Sequence, residues 1–136
     1  MVRIILNTNV LVSGIFFSGP PSQILKAWRD GKVQFTLTPE IIDEYFRVAR
    51  ILSAEFSGIE INAILTLVIA NSDIIQPSPI PHQICEDPDD EKFLVCALAS
   101  ETKIIVSGDK HLLKLSVFRG ITISTPRAFV DQYLKK

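Results

Sequence analysis

Val2-Arg3-Ile4-Ile5-Leu6-Asn7-Thr8-Asn9 opens the chain, and its reading decides the fold. The run Val2–Leu6 is nearly continuous in apolar residues and lacks the strict alternation of a strand with one wet face. Such a run belongs in a parallel sheet covered on both sides. It stops abruptly at two amides and a hydroxyl. The same composition returns at Val33–Leu37, Asp73–Gln76, Lys103–Val106 and Gly120–Ile123, each rich in Ile, Val, Phe or Thr.

Helical patterns lie between these five runs. Ile24, Leu25 and Trp28 share a face within Ser22 to Arg29. Thr38-Pro39-Glu40 is a start signal, because Thr caps and Pro at the first helical position loses no needed hydrogen bond. That helix continues through Ile41, Ile42, Tyr45, Phe46 and Ala49, and Ser57-Gly58 separates it from another at about Glu60 to Asn71. Asp87-Pro88-Asp89-Asp90 opens a helix holding Phe93, Leu94, Ala97 and Leu98. Asp109 fits the cap of a short helix, and Thr125-Pro126 begins the last one. Strands alternating with helices predict an α/β fold with a mainly parallel five-stranded sheet. Pro77-Ser78-Pro79-Ile80-Pro81 reads as a stiff connector inside a single domain, 1–136.

Composition narrows the function. The 136 residues are 47% hydrophobic and 21% charged, with a formal net charge of −1. Global disorder is excluded, and so is the strongly basic footprint of a protein that holds long nucleic acid by charge alone. Cys85 and Cys96 form no disulfide framework and no CxxC pair. The N-terminus is too polar after Leu6 for a signal peptide. The greasiest stretch, 59–70, is interrupted and shorter than the roughly 20 residues of a membrane helix. The expectation is a cytoplasmic protein that contacts no membrane.

In open α/β sheets, ligands bind beyond the carboxyl ends of the strands. Asn7-Thr8-Asn9 follow the first strand there, and Ser107-Gly108-Asp109-Lys110 follow the fourth. The helix opened by Asp87, Asp89 and Asp90 starts at the same edge, and Glu44 lies early in the helix after the second strand. Clustered carboxylates raise one another's pKa unless a cation neutralises them, and hard oxygen donors suit Mg²⁺ or Mn²⁺. Each residue also has a plain structural reading. Asp87 and Asp109 fit helix caps, Glu44 a solvated face, and Asn7-Thr8-Asn9 a turn. The isolated His82 and His111 offer no zinc set, no G-x-S-x-G marks a nucleophile, and no glycine-rich phosphate loop is present.

Four segments together resemble a PIN domain. They are Ile4–Gly14, Glu44-Tyr45, Asp87–Ala99 and Ile105–Leu113, with a fitting end at Gly120–Phe129. The resemblance spans essentially the whole chain and is nearest to VapC-type toxins of toxin–antitoxin pairs. It implies a three-layer α/β/α sandwich and a Mg²⁺- or Mn²⁺-dependent endoribonuclease acting on single-stranded RNA. Its implied partners are RNA, a cognate antitoxin and a second copy of the chain as a homodimer. By position, Glu44, Asp90 and Asp109 match the family's second, third and fourth acids. Thr8 matches a hydroxyl beside the metal, and Asp87 is an additional candidate. Lys110, Lys92, Arg47 and Arg50 are candidates to meet RNA phosphates.

One position departs from the family. Asn7 stands where the family carries its first metal-binding aspartate. It keeps a carbonyl oxygen but loses a charge worth roughly 4 kcal/mol at about 4 Å and an effective dielectric of about 20, before desolvation. Weaker metal binding is therefore expected. The alternative is a catalytically inactive PIN-like module that binds RNA or protein. A haloacid-dehalogenase-type phosphatase needs aspartates at both Asn7 and Asn9, where this chain has amides. Ile15-Phe16-Phe17 reads either as core or as a docking or dimer patch.

Overall fold

Five parallel strands form the centre of the molecule. The computed structural model describes residues 1–55, 60–77, 88–115 and 117–135. The Ser57-Gly58 break, Ser78 to Pro81 of the connector, His82, Cys85 and Asp87 lie outside the described residues. Element by element, β1 is Val2–Leu6, α1 Thr8–Phe16, α2 Pro20–Arg29, β2 Val33–Leu37, α3 Pro39–Ser53, α4 Ile61–Ala70 and β3 Asp73–Ile74. There follow α5 Pro88–Ser100, β4 Ile104–Val106, α6 Lys110–Leu113, β5 Val117–Phe118, β6 Ile121–Ser124 and α7 Pro126–Phe129, which runs on as a wider π-turn over Val130–Leu134.

The sheet order is β3-β2-β1-β4-β6-β5, with β1 in register on β2 (Val2 beside Val33) and on β4 (Leu6 beside Val106). All pairings are parallel except β5 with β6. The two-residue β5 adds an antiparallel edge to the five strands expected from sequence. Ile4, Ile5 and Leu6 are consecutive and all buried. Successive strand residues point to opposite faces, so both faces of β1 are covered. Ile104, Ile105 and Val106 repeat the pattern in β4.

The helices dock through the faces that their spacing selects. Ile41, Tyr45 and Ala49 are the buried stripe of α3, and Thr38 caps it by accepting from the Ile41 amide at 3.3 Å. Trp28 of α2 stacks on Phe35 of β2, with ring centroids 5.9 Å apart.

Helix α1 is absent from the sequence-based expectation. Its residues Thr8, Val10, Leu11 and Val12 are buried. In nine residues only Asn9 and Ser13 mark a polar stripe, too short a 3.6-residue pattern by which to recognise it. Within the Ile15-Phe16-Phe17 run, Ile15 and Phe16 pack against the core while Phe17 is exposed. Gly14 explains how closely α1 approaches its neighbour. A Cβ there would stand 2.8 Å from both Leu25 Cδ1 and the Pro21 carbonyl oxygen.

An exposed helical Gly→Ala change stabilises by about 0.5–1 kcal/mol. At Gly14 the sign should reverse, because the Pro21 backbone must move. Urea unfolding of Gly14→Ala is expected to show a loss of about 1–3 kcal/mol, and a gain in stability would contradict this packing.

Candidate functional site

The strand order runs outward in two directions from the β1–β4 pair. This is a topological switch point, where the connections diverge and leave a crevice at the carboxyl ends. Asn7 leaves β1 there and Ser107 leaves β4. The two ends are tied, since the Asn7 amide donates to the Val106 carbonyl at 2.9 Å. Asn7 is buried and caps α1, its Oδ1 accepting from the Asn9 amide at 3.1 Å. The turn expected at this segment is therefore the N-cap of α1.

Glu44 reaches the same edge from α3. The Thr8 hydroxyl donates to its Oε2. Its Oε1 accepts from the Lys92 ammonium at 2.6 Å and lies 3.6 Å from the Arg47 guanidinium. The Glu44 and Lys92 side chains are only 11% and 13% exposed, so this pair is largely withdrawn from water, unlike Arg47 at 64%. The next residue in α3, Tyr45, is fully buried, and its hydroxyl donates to the Leu6 carbonyl at 2.6 Å. Burial holds the Tyr45 phenol well above its ordinary pKa, with smaller contributions from Cys96 and Glu44.

Asp90 sits in the first turn of α5 and is buried. Its Oδ2 receives no hydrogen bond among the described residues, although the residue as a whole is engaged. Asp109 lies across the switch point. Its Oδ1 accepts from the amides of His111 at 2.8 Å and Leu112 at 3.4 Å, which makes it the cap of α6. Buried Ser107 orients it by accepting from the Asp109 amide at 2.9 Å. Lys110 and Arg50 are exposed, the latter in the last turn of α3.

Two residues that organise the site lie within the segments of family resemblance without being singled out there as site residues. Tyr45 reads simply as core. Ser107 had one signal, its place two residues before an aspartate, the spacing of a serine turn. Lys92 and Arg47, two of the candidates to meet phosphate, both contact the Glu44 carboxylate, Lys92 from a side chain largely withdrawn from water.

The donors fit a hard divalent ion in kind. Asn7 Oδ1, Glu44 and Asp90 offer only oxygen, and a buried carboxylate oxygen without a donor suits a cation. They fall short in charge. No three His, Cys, Asp or Glu side chains among the described residues form a group able to hold a metal. No described helix is long and apolar enough to cross a membrane.

Comparison with known proteins agrees with this geometry. Residues 3–111 match the PIN domain family. The chain is 29% identical to the uncharacterized protein MJ1680 of Methanocaldococcus jannaschii, over 98% of this chain and 93% of that one. Among solved structures it resembles PAE2754 of Pyrobaculum aerophilum with a TM-score of 0.59 and 14% identity, covering 98% of this chain and 91% of that one. It also resembles VapBC2 of Rickettsia felis, crystallised bound to a DNA fragment from its promoter. There the TM-score is 0.56 and the identity 13%, covering 91% of this chain and 98% of that one.

Removing one partner of a buried ion pair leaves the other uncompensated. Lys92→Met is expected to cost about 1–3 kcal/mol, moderated by the remaining Thr8 and Arg47 contacts to Glu44. Lys92→Met with Glu44→Gln should cost less than the sum of the two single changes in a double-mutant cycle. Additive losses would mean that the pair is not coupled.

Burial also raises the Cys96 thiol to about 12, a shift only partly offset by its hydrogen bond with Ser100. Tyr45 and Cys96 thus both stay neutral in the folded protein after their unfolded counterparts ionise. A raised folded pKa gives stability that is complete below the unfolded value and lost above it. Stability measured by urea titration should therefore decline as pH rises through about 9 to 11, and Tyr45→Phe should reduce the decline.

Proposed function

We propose, on the premise that the chain belongs to the PIN domain family, that it is a metal-dependent endoribonuclease cutting single-stranded RNA. It would act as the toxin of a toxin–antitoxin pair in the cytoplasm, as a homodimer held in check by an antitoxin. The observation that supports this reading is Asn7 at the β1–β4 switch point with Glu44 held beside it through Thr8, while Lys92 of α5, the helix that Asp90 opens, binds the same Glu44. The VapBC2 likeness supports an antitoxin partner.

Asn7, Glu44 and Asp90 would hold Mg²⁺ or Mn²⁺, with Asp109 and Asp87 as further candidate ligands. A bound ion would supply a Lewis acid at the phosphate and an activated water. The chain's own residues prepare for this. Thr8 fixes one oxygen of Glu44, and Lys92 and Arg47 fix the other. A ligand held in one orientation before binding loses less freedom on binding. The Tyr45–Leu6 hydrogen bond keeps the helix bearing Glu44 against the strand end that bears Asn7. Arg50 and Lys110 remain as exposed positive charges able to meet flanking phosphates.

The specific observations favouring a non-catalytic module are the amide at Asn7 and the cationic partners on Glu44. One comparison separates the two readings. Mn²⁺ affinity by calorimetry and cleavage of single-stranded RNA are measured for this chain and for Asn7→Asp. The added carboxylate is expected to tighten Mn²⁺ at least about tenfold and to raise the cleavage rate. If both chains fail to bind Mn²⁺ and fail to cut RNA, the nuclease reading is wrong. RNA binding without cutting in both chains would establish the module instead.

A further inference from the structure

Beside the acidic rim, the structure holds an open cleft of about 510 Å³. Binding clefts of roughly 300–1,000 Å³ with apolar walls and a few polar groups are the usual size for a small organic ligand. Pro21 and Pro126 form part of the apolar wall, and Asn9 and Ser13 of α1 add an amide and a hydroxyl. Asp109 and Lys110 border it from the β4–α6 junction. Asp109 thus belongs both to the rim and to this cleft.

We infer that the cleft is a subsite for one nucleotide of single-stranded RNA, adjoining the phosphate that is cut. The inference rests on the nuclease reading and adds a location and a ligand to it. Flat pyrrolidine faces and the buried Val10 suit the face of an unstacked base. Asn9 and Ser13 can meet its polar edge. Exposed Lys110 stands where the sugar–phosphate chain would leave the cleft and offers a charge to it. Sharing Asp109 with the rim puts the two regions in direct continuity. A strand seated in the cleft would therefore run on toward Asn7 and Glu44.

Gly108 gives a clean way to test this. It lines the cleft, and a Cβ added to it meets no protein atom within 4 Å. Gly108→Leu therefore adds bulk at the cleft from a Cβ that meets no neighbour, and an unchanged urea midpoint checks that the fold is kept. The probe is a fluorescein-labelled single-stranded RNA of mixed sequence, titrated in EDTA so that it stays uncut. Base stacking contributes about 1–3 kcal/mol per base. Gly108→Leu is therefore expected to raise Kd at least about fivefold, and Lys110→Glu to raise it and flatten its salt dependence. NMR amide shifts on the unaltered protein should centre on Asn9, Ser13 and Lys110. If RNA binds and Gly108→Leu leaves Kd and the shifts unchanged, the cleft is not the subsite, and the nuclease reading stands. If the unaltered protein binds no RNA in EDTA, the subsite is overturned, while the nuclease reading still stands or falls on cleavage with Mn²⁺. Equal affinity for duplex DNA would reduce the cleft to a nonspecific charge contact and overturn the assignment.

Discussion

The buried hydrogen bond from the Tyr45 hydroxyl to the Leu6 carbonyl, 2.6 Å long, is the constraint on which the site depends. It joins the first helical turns of α3 to the end of the central strand. A buried phenol without a partner would carry a desolvation cost of about 1–3 kcal/mol, so the geometry of α3 against β1 is tightly specified. Glu44 precedes Tyr45 and Asn7 follows Leu6. One bond spanning 39 positions of sequence therefore holds two candidate positions side by side.

Much of this was legible from sequence, for identifiable reasons. The central strands β1, β2 and β4 announce themselves because most of their residues are apolar and buried, whereas the outer β3 and β6 keep exposed residues at Ile74 and Thr122 and were marked mainly by their β-branched side chains. The capped helices are equally plain, since Thr38-Pro39 and Thr125-Pro126 use side chains that accept from the first free amides. Helix α1 was hidden by its brevity and by a polar stripe reduced to Asn9 and Ser13, too little to stand out as a helical period. The edge strand β5 is two residues long and owes its existence to its neighbour β6.

The site was legible by residue type and less so by pairing. Position along the chain can suggest that Glu44, Asp90 and Asp109 approach one edge. It cannot say that Lys92, two residues beyond Asp90, turns back onto Glu44 rather than outward. That choice depends on the docking angle of α5 against α3, a tertiary quantity. Asp109 shows the opposite case, in which the cap expected from local sequence is present and the residue also borders the cleft.

Asn7 caps α1 through its side-chain carbonyl oxygen, accepting from the Asn9 amide. An aspartate oxygen can make the same bond, and the two residues rank alike as helix caps. The structural duty at this position is therefore blind to charge, whereas the chemical duty is not. The cap itself would survive exchange of the amide for a carboxylate, but Asn7 is buried, so the added charge would have to be offset by a cation or a proton. The backbone would keep its course through this position while the demand for a counter-charge was switched on or off by a single atom.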